Sequence, residues 1–106
     1  MSGEYVVHAT AMRDLRNKSE FIAARRPDSA KRFLAAAERA FRRLAEQPGL
    51  GGRIESGDPE FAGMRAWPIR GFRKFVIYSV PNPDGVAIVR VLHGAQDFKA
   101  SFADDD

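Results

Sequence analysis

The sequence predicts an α+β domain in which two packed helices cover one face of an antiparallel sheet. Three strand-like segments lie between Met64 and Gln96, two segments of helical periodicity lie between Ala11 and Gln47, and a short strand-forming run opens the chain. Strands and amphipathic helices each have one apolar face to bury. This order therefore favours a sheet with a helical hairpin packed on it.

The segment 64–96 is predicted to form a three-stranded meander. Its strand-forming residues are β-branched or aromatic: Val76, Ile77, Tyr78, Val80, Val86, Ile88, Val89 and Val91. The chain reverses at Pro81–Gly85, because two prolines withhold donors and Asp84-Gly85 tolerates positive φ. Arg70-Gly71 marks a second, weaker reversal. Strict alternation along the last strand places Ala87, Val89, Val91 and His93 on one face, and Val86, Ile88, Arg90 and Leu92 on the other.

Before the meander, the chain is predicted to be a strand followed by two helices. The strand is Tyr5–Thr10, with Thr10 able to cap the next element. The first helix runs from Ala11 to about Arg25 and ends because the residue before Pro27 is disfavoured in the α region. Its apolar residues are Met12, Leu15 and Ile22, with Phe21 as a further candidate.

The second helix is predicted from its cap, Asp28, to about Gln47. Its apolar stripe contains Ala30, Phe33, Leu34, Ala37, Phe41, Leu44 and Ala45. Basic residues dominate the other side of the helix. The segment 49–63 shows no period and is expected to be a long surface loop. Residues 97–102 either add a helical turn or lie as a tail.

Length and composition predict a single domain, 1–106, whose acidic tail frays from about residue 103. No apolar run approaches the roughly 20 residues of a membrane span, and no signal peptide is evident, so we expect a cytoplasmic protein. The absence of cysteine excludes disulfides and thiolate sites. His8 lacks neighbours at ligand spacing, so no metal or other cofactor is predicted. The net charge of +3, reduced by Asp104–Asp106, favours an acidic partner.

Several motifs in this order carry a family resemblance. The helical hairpin ends in EQPGLG, and the meander contains M-R-x-W-P, GFRKFVIYSV and VAIVRVLHGAQD. Over nearly its whole length the chain resembles the ParE branch of the ParE/RelE toxin superfamily, the plasmid stabilisation toxins. The resemblance implies the RelE/ParE-like fold and a bacterial type II toxin that a ParD-like antitoxin neutralises in a hetero-oligomeric complex.

The superfamily has two modes of growth arrest. ParE-like members are implied to poison DNA gyrase, in which case any contact with DNA is indirect, through gyrase or the antitoxin. RelE-like members are implied to cut messenger RNA on the ribosome. That chemistry needs a general acid and base, with cations at the developing phosphorane charge. Arg65, Arg73 and Arg90 could supply the cations and His93 the acid or base. The segment after the last strand has no tyrosine or arginine and ends in three aspartates, which favours gyrase poisoning.

Two sets of contact residues are predicted. Candidates for antitoxin binding are Phe33, Arg39, Arg42, Arg43 and Trp67. Candidates for target binding are Arg65, Arg70, Arg73, Lys74, Arg90 and His93. Structural roles remain open for some of them, since Arg90 could pair with an acid across the sheet and His93 could form only a local hydrogen bond. An inactive binding module is a further alternative to a working toxin.

Overall fold

Two helices and five strands follow one another in the computed structural model, which describes residues 3–54, 59 and 62–94. The elements are β1 (Glu4–Val7), α1 (Ala9–Arg25), α2 (Pro27–Glu46), β2 (Gly52–Arg53), β3 (Arg65–Ile69), β4 (Phe72–Asn82) and β5 (Gly85–His93). The helices pack against the sheet, so the predicted α+β architecture is confirmed. The acidic tail and residues 97–102 lie outside the described residues.

The strands form one mixed sheet in the order β1-β5-β4-β3-β2. The predicted meander corresponds to β3, β4 and β5, which pair antiparallel. The N-terminal strand adds to this meander, because β1 pairs parallel with β5. Within the predicted long loop, β2 pairs with β3 at the opposite edge, so the expectation of an unstructured loop was wrong there.

Both predicted chain reversals are present. Gly71, with φ +87°, lies in the turn between β3 and β4. Between β4 and β5, the Asn82 side-chain oxygen accepts a hydrogen bond from the Asp84 backbone N–H at 2.9 Å. Gly85 then has φ +151°, and a side chain at this position would collide with the Glu4 carbonyl. Glycine therefore allows β1 to approach the start of β5.

The helix starts differ from the predicted ones. Thr10 lies inside α1 rather than capping it, because the helix begins at Ala9 with His8 as its N-cap. Asp28 is likewise not a cap. Pro27 occupies the first turn of α2, where the backbone N–H has no partner within the helix and proline is tolerated. Asp28 lies in the same turn, where its negative charge interacts favourably with the helix dipole. Only Arg26 separates the two helices, which confirms the helical hairpin.

The buried faces of the helices also differ from the predicted ones. The buried residues of α2 are Ala30, Phe33, Ala36, Ala37, Ala40, Phe41, Leu44 and Ala45. Leu34 is 43% exposed, so its assignment to the apolar stripe was wrong. Met12 and Phe21 of α1 are more exposed still, and the buried residues of that helix are Ala11 and Asp14. Large apolar residues dominate a pattern read from the sequence. In the structure, alanines form most of the buried face of α2, and their small side chains let the helix pack closely on the sheet.

A β-bulge overturns the strict alternation predicted for β5. Tyr78 pairs with Arg90 and Ser79 with Ile88, so Val89 has no residue opposite it on β4. Val86, Ile88 and Val91 consequently share the helix-covered core. Val89 and Leu92 instead belong to the second cluster, with Met64 and Tyr78. The extra residue shifts the alternation of every side chain that follows it.

Ile77, at the centre of the sheet, provides a test of the core. It is fully buried and lies between Trp67 on β3 and Val91 on β5. Ile77→Ala is expected to lower the free energy of unfolding by about 2 to 4 kcal/mol, from lost burial and a residual cavity. The half-buried Val89 in the second cluster is the comparison, and Val89→Ala should cost about 1 kcal/mol. Urea denaturation measures both, and values near zero at both sites would contradict these strand assignments.

Candidate functional site: a basic groove along α2

A groove of about 590 Å³ lies between α2 and the β3 side of the sheet. Its α2 wall carries Arg39, Arg42 and Arg43, with the small residues Ala36 and Ala40 between them. Its other wall is formed by Trp67 on β3 and by Arg70 in the turn that follows. Four arginines and one glutamate, Glu46, line this groove. The site therefore presents an indole and small apolar side chains bordered by cations.

The groove continues towards the start of α2. A second hollow of about 650 Å³ shares Ala36, Arg39 and Arg70 with the first and reaches Arg32 and Phe72. One line along α2 contains Arg32, Arg39 and Arg43. The spacing of seven residues between the first two is about two helical turns, and the spacing of four between the last two is about one. This line is roughly 16 Å long at 1.5 Å per residue. We call the two hollows together the α2 groove.

The cationic side chains of the α2 groove differ in their local partners. Arg42 donates to the Glu38 carboxylate at 2.9 Å, in an exposed pair within the helix. This hydrogen bond and the charge of Glu38 raise the pKa of Arg42 above its usual value, as does a hydrogen bond with Tyr5. Within the described ranges, Arg39, Arg43 and Arg70 have no ion-pair partner. These three guanidinium groups can therefore receive carboxylates from outside.

Four of the five predicted antitoxin-binding residues line the α2 groove: Arg39, Arg42, Arg43 and Trp67. Phe33 is placed elsewhere. It is fully buried beneath α2, where its ring packs edge to face with those of Phe72 and Phe75 at centroid distances of 5.5 and 5.1 Å. Phe33 thus contributes to the core that supports the groove and presents no surface in this conformation.

Arg90 forms the best-defined ion pair among the described residues. Its Nε and Nη2 atoms donate to the two Asp14 carboxylate oxygens at 2.8 and 3.0 Å. The same carboxylate accepts the Val91 backbone N–H at 2.9 Å. The strand β1 ends at Val7, so Asp14 supplies an acceptor where β1 no longer lies beside β5. Arg90 does pair with an acid, although this acid comes from α1 rather than from a neighbouring strand.

The other predicted target-binding residues are distributed over several places. Arg65 is half-buried and donates from Nη1 to the Gly51 carbonyl at 3.0 Å. Arg70 faces the α2 groove, and Arg73 and Lys74 are exposed at the start of β4. His93, at the end of β5, contacts Phe75 edge to face at 5.2 Å. The predicted nuclease set of Arg65, Arg73, Arg90 and His93 is thus divided among different local environments.

Asp14 is the residue that sequence reasoning missed. Its signal was present, because it occupies the same helical stripe as Ala11, Leu15 and Ile22, where a carboxylate needs a partner.

Pro68 was a second missed feature. The Ile54 N–H donates to the Met64 carbonyl, so by alternation position 68 also directs its backbone towards the outer edge of β3. Proline lacks an N–H there and prevents the edge from pairing further.

Neither a metal site nor a membrane span is found in the described part of the chain. It contains no cluster of three or more histidine, aspartate or glutamate side chains suited to a metal ion. None of its helices has both the length and the apolar character needed to cross a membrane.

The fold and the α2 groove define a small α+β protein that presents four arginines and an indole along one helix. The family model of the ParE toxin of the type II toxin-antitoxin system parDE matches residues 5–98. The chain therefore belongs to the ParE toxin family, and the match covers both helices and, apart from Glu4 of β1, the five strands. A search of curated proteins found no matching relative.

Proposed function

We propose that this ParE-family toxin arrests growth by poisoning DNA gyrase in the cytoplasm, and that a ParD-like antitoxin neutralises it. Membership of the family supports a toxin with an antitoxin partner. The choice of gyrase over messenger RNA rests chiefly on the Asp14–Arg90 ion pair, and the Arg65–Gly51 hydrogen bond supports it.

This ion pair weakens the nuclease alternative. A ribonuclease needs unpaired positive charge at the phosphorane and an acid or base within hydrogen-bond reach of the reacting oxygens. The bidentate Asp14 carboxylate offsets the charge of Arg90 and holds its guanidinium against α1. Arg65, meanwhile, is bound to the backbone at Gly51. Two of the three candidate cations thus have structural roles, which favours a toxin that binds its target without cutting RNA.

The antitoxin is proposed to occupy the α2 groove. The guanidinium groups of Arg39, Arg43 and Arg70, which form no ion pair with another described residue, suit an acidic segment. Trp67 offers an aromatic surface to an apolar side chain beside it. Pro68 leaves the adjacent strand edge without a donor at that position, so side chains rather than strand pairing should supply most of the contact. A basic groove and an acidic partner would also accelerate their association.

Two parallel reactions with the purified chain test the proposed target. In the first, gyrase and plasmid DNA are incubated with the toxin, and linear DNA is measured after the proteins are denatured and digested. In the second, ribosomes that are translating a defined messenger RNA are incubated with the toxin, and cleavage is mapped by primer extension. We expect cleaved plasmid DNA in the first reaction and intact transcript in the second.

Charge variants sharpen this test. Arg73→Ala combined with Lys74→Ala removes two exposed cations from the predicted target surface and should reduce plasmid cleavage about tenfold. Arg13→Ala combined with Arg16→Ala removes the same charge from exposed positions of α1 and should leave it unchanged. Transcript cleavage with normal supercoiling would overturn the proposal in favour of a ribonuclease. Inactivity in both reactions, with no growth arrest on induction, would indicate an inert binding module.

A further inference from the structure

The outer edge of β1 is open in the described part of the structure. β1 is the terminal strand of the sheet, and among the described strands it pairs with β5 alone. The Glu4 N–H donates to the Asp84 carbonyl at 2.8 Å, and the His8 N–H donates to the Ile88 carbonyl at 2.9 Å. Since backbone direction alternates along a strand, positions 4, 6 and 8 face β5 while Tyr5 and Val7 direct their N–H and C=O groups outward. The edge thus offers two donors and two acceptors.

These four groups are self-complementary. In an antiparallel pairing with a second copy, centred on Val6, each Tyr5 lies opposite Val7 of the other copy. Both residues direct their backbone groups outward, so each such pair exchanges two hydrogen bonds and all the outward groups of the edge are satisfied. A two-fold axis through the Val6 pair generates this arrangement with no change in either sheet.

The side chains of β1 agree with the same register. Val6 is 51% exposed and would meet its own copy at the two-fold axis. Glu4 and His8 are both exposed and lie on the same face as Val6. The register places Glu4 of one copy opposite His8 of the other, on both sides of the axis, and a carboxylate beside an imidazole is a favourable cross-strand pair. On the opposite side of the sheet, β3 extends past the two-residue β2, and Pro68 removes a backbone donor from β3 there.

We propose that two copies of this chain associate through β1 and form one continuous sheet across a two-fold axis. The interface is built by Tyr5, Val6 and Val7 and bordered by the two Glu4–His8 pairs. The interface uses the backbone edge of β1, whereas the α2 groove lies between α2 and β3, and the two adjoin where Arg42 meets Tyr5. The proposal is independent of which target the toxin poisons.

Cross-linking tests the register directly. The chain contains no cysteine, so Val6→Cys introduces a single thiol. The paired Val6 residues occupy a non-hydrogen-bonded site, where Cα atoms are about 4.5 Å apart, within the range of a disulfide. We expect mild oxidation of Val6→Cys to give a linked dimer in high yield. Leu34→Cys, at an exposed position of α2, is the matched control and should give at least tenfold less.

Sedimentation equilibrium of variants without cysteine tests association itself. The wild-type chain should show a monomer-dimer equilibrium, and Val6→Lys, which places two like charges at the axis, should weaken it at least tenfold. Leu34→Lys should leave the equilibrium unchanged. Glu4→His or His8→Glu alone should weaken the dimer, and the combined exchange should restore it because each pair is again complementary.

Any of three results would overturn the proposal. The first is a wild-type chain that is monomeric at every concentration, together with a Val6→Cys variant that cross-links no better than Leu34→Cys. The second is a dimer that Val6→Lys leaves intact, since the interface would then lie elsewhere. The third is protection of the Val6→Cys thiol by the antitoxin in a chain that remains monomeric, which would assign the edge to a strand of another protein.

Discussion

Asp14→Ala is expected to destabilise the protein by about 3 to 5 kcal/mol, the usual cost of removing one member of a buried ion pair. The substitution leaves the Arg90 guanidinium, only 20% exposed, without its carboxylate. It also removes the acceptor of the Val91 N–H. For a domain of this size, the melting temperature should fall by roughly 10 to 20 °C.

Two further variants complete this test: one keeps the shape of Asp14 without its charge, and the other is a control outside the ion pair. Asp14→Asn keeps an oxygen for the Val91 N–H but loses the charge. It should therefore lower the free energy of unfolding by less than Asp14→Ala does. Asp28→Ala removes a carboxylate from an exposed position in α2 and should cost no more than about 1 kcal/mol. Thermal and urea denaturation measure all three. If Asp14→Ala costs no more than Asp28→Ala, the ion pair does not stabilise the fold.

Reversing the charge of the α2 groove is expected to weaken antitoxin binding about 100-fold or more. Arg39→Glu combined with Arg43→Glu replaces two attractive contacts with repulsive ones, and a charged contact contributes about 1.5 to 3 kcal/mol. Both side chains are exposed, so the free energy of unfolding should change by less than about 1 kcal/mol. Isothermal titration calorimetry with the antitoxin measures the effect.

The control for this prediction has the same net charge. Arg13→Glu combined with Arg16→Glu reverses two exposed arginines of α1, outside the α2 groove. If both double variants weaken binding equally, the antitoxin responds to overall charge and the groove is not its site. An unchanged affinity in the groove variant alone would assign the antitoxin to another surface.

Local patterns sufficed to predict the helices and the meander. Pro27 marked the boundary between the helices, and Pro81 to Gly85 marked the hairpin, because these residues restrict the backbone wherever they occur. The pairing of β1 with β5 was not predictable in this way, since it depends on tertiary structure. The bulge at Val89 was equally hidden, and it changed which side chains of β5 share a face.

The candidate site was predictable on one wall only. The arginines of α2 were evident from helical periodicity, whereas their position opposite Trp67 and Arg70 depends on how α2 crosses the sheet. The role of Arg90 was not fixed by its own strand. Its partner Asp14 is 76 residues earlier in the chain, so only the folded structure shows that this cation is bound to α1.

The parallel pairing of β1 with β5 also has a consequence for synthesis. Glu4 pairs with Gly85, a residue that the ribosome adds about 80 residues later. Such long-range pairing closes slowly and only after β5 has emerged. The nascent chain therefore exposes an incomplete sheet until β5 has emerged from the ribosome. The antitoxin partner that family membership implies has that interval in which to reach the chain.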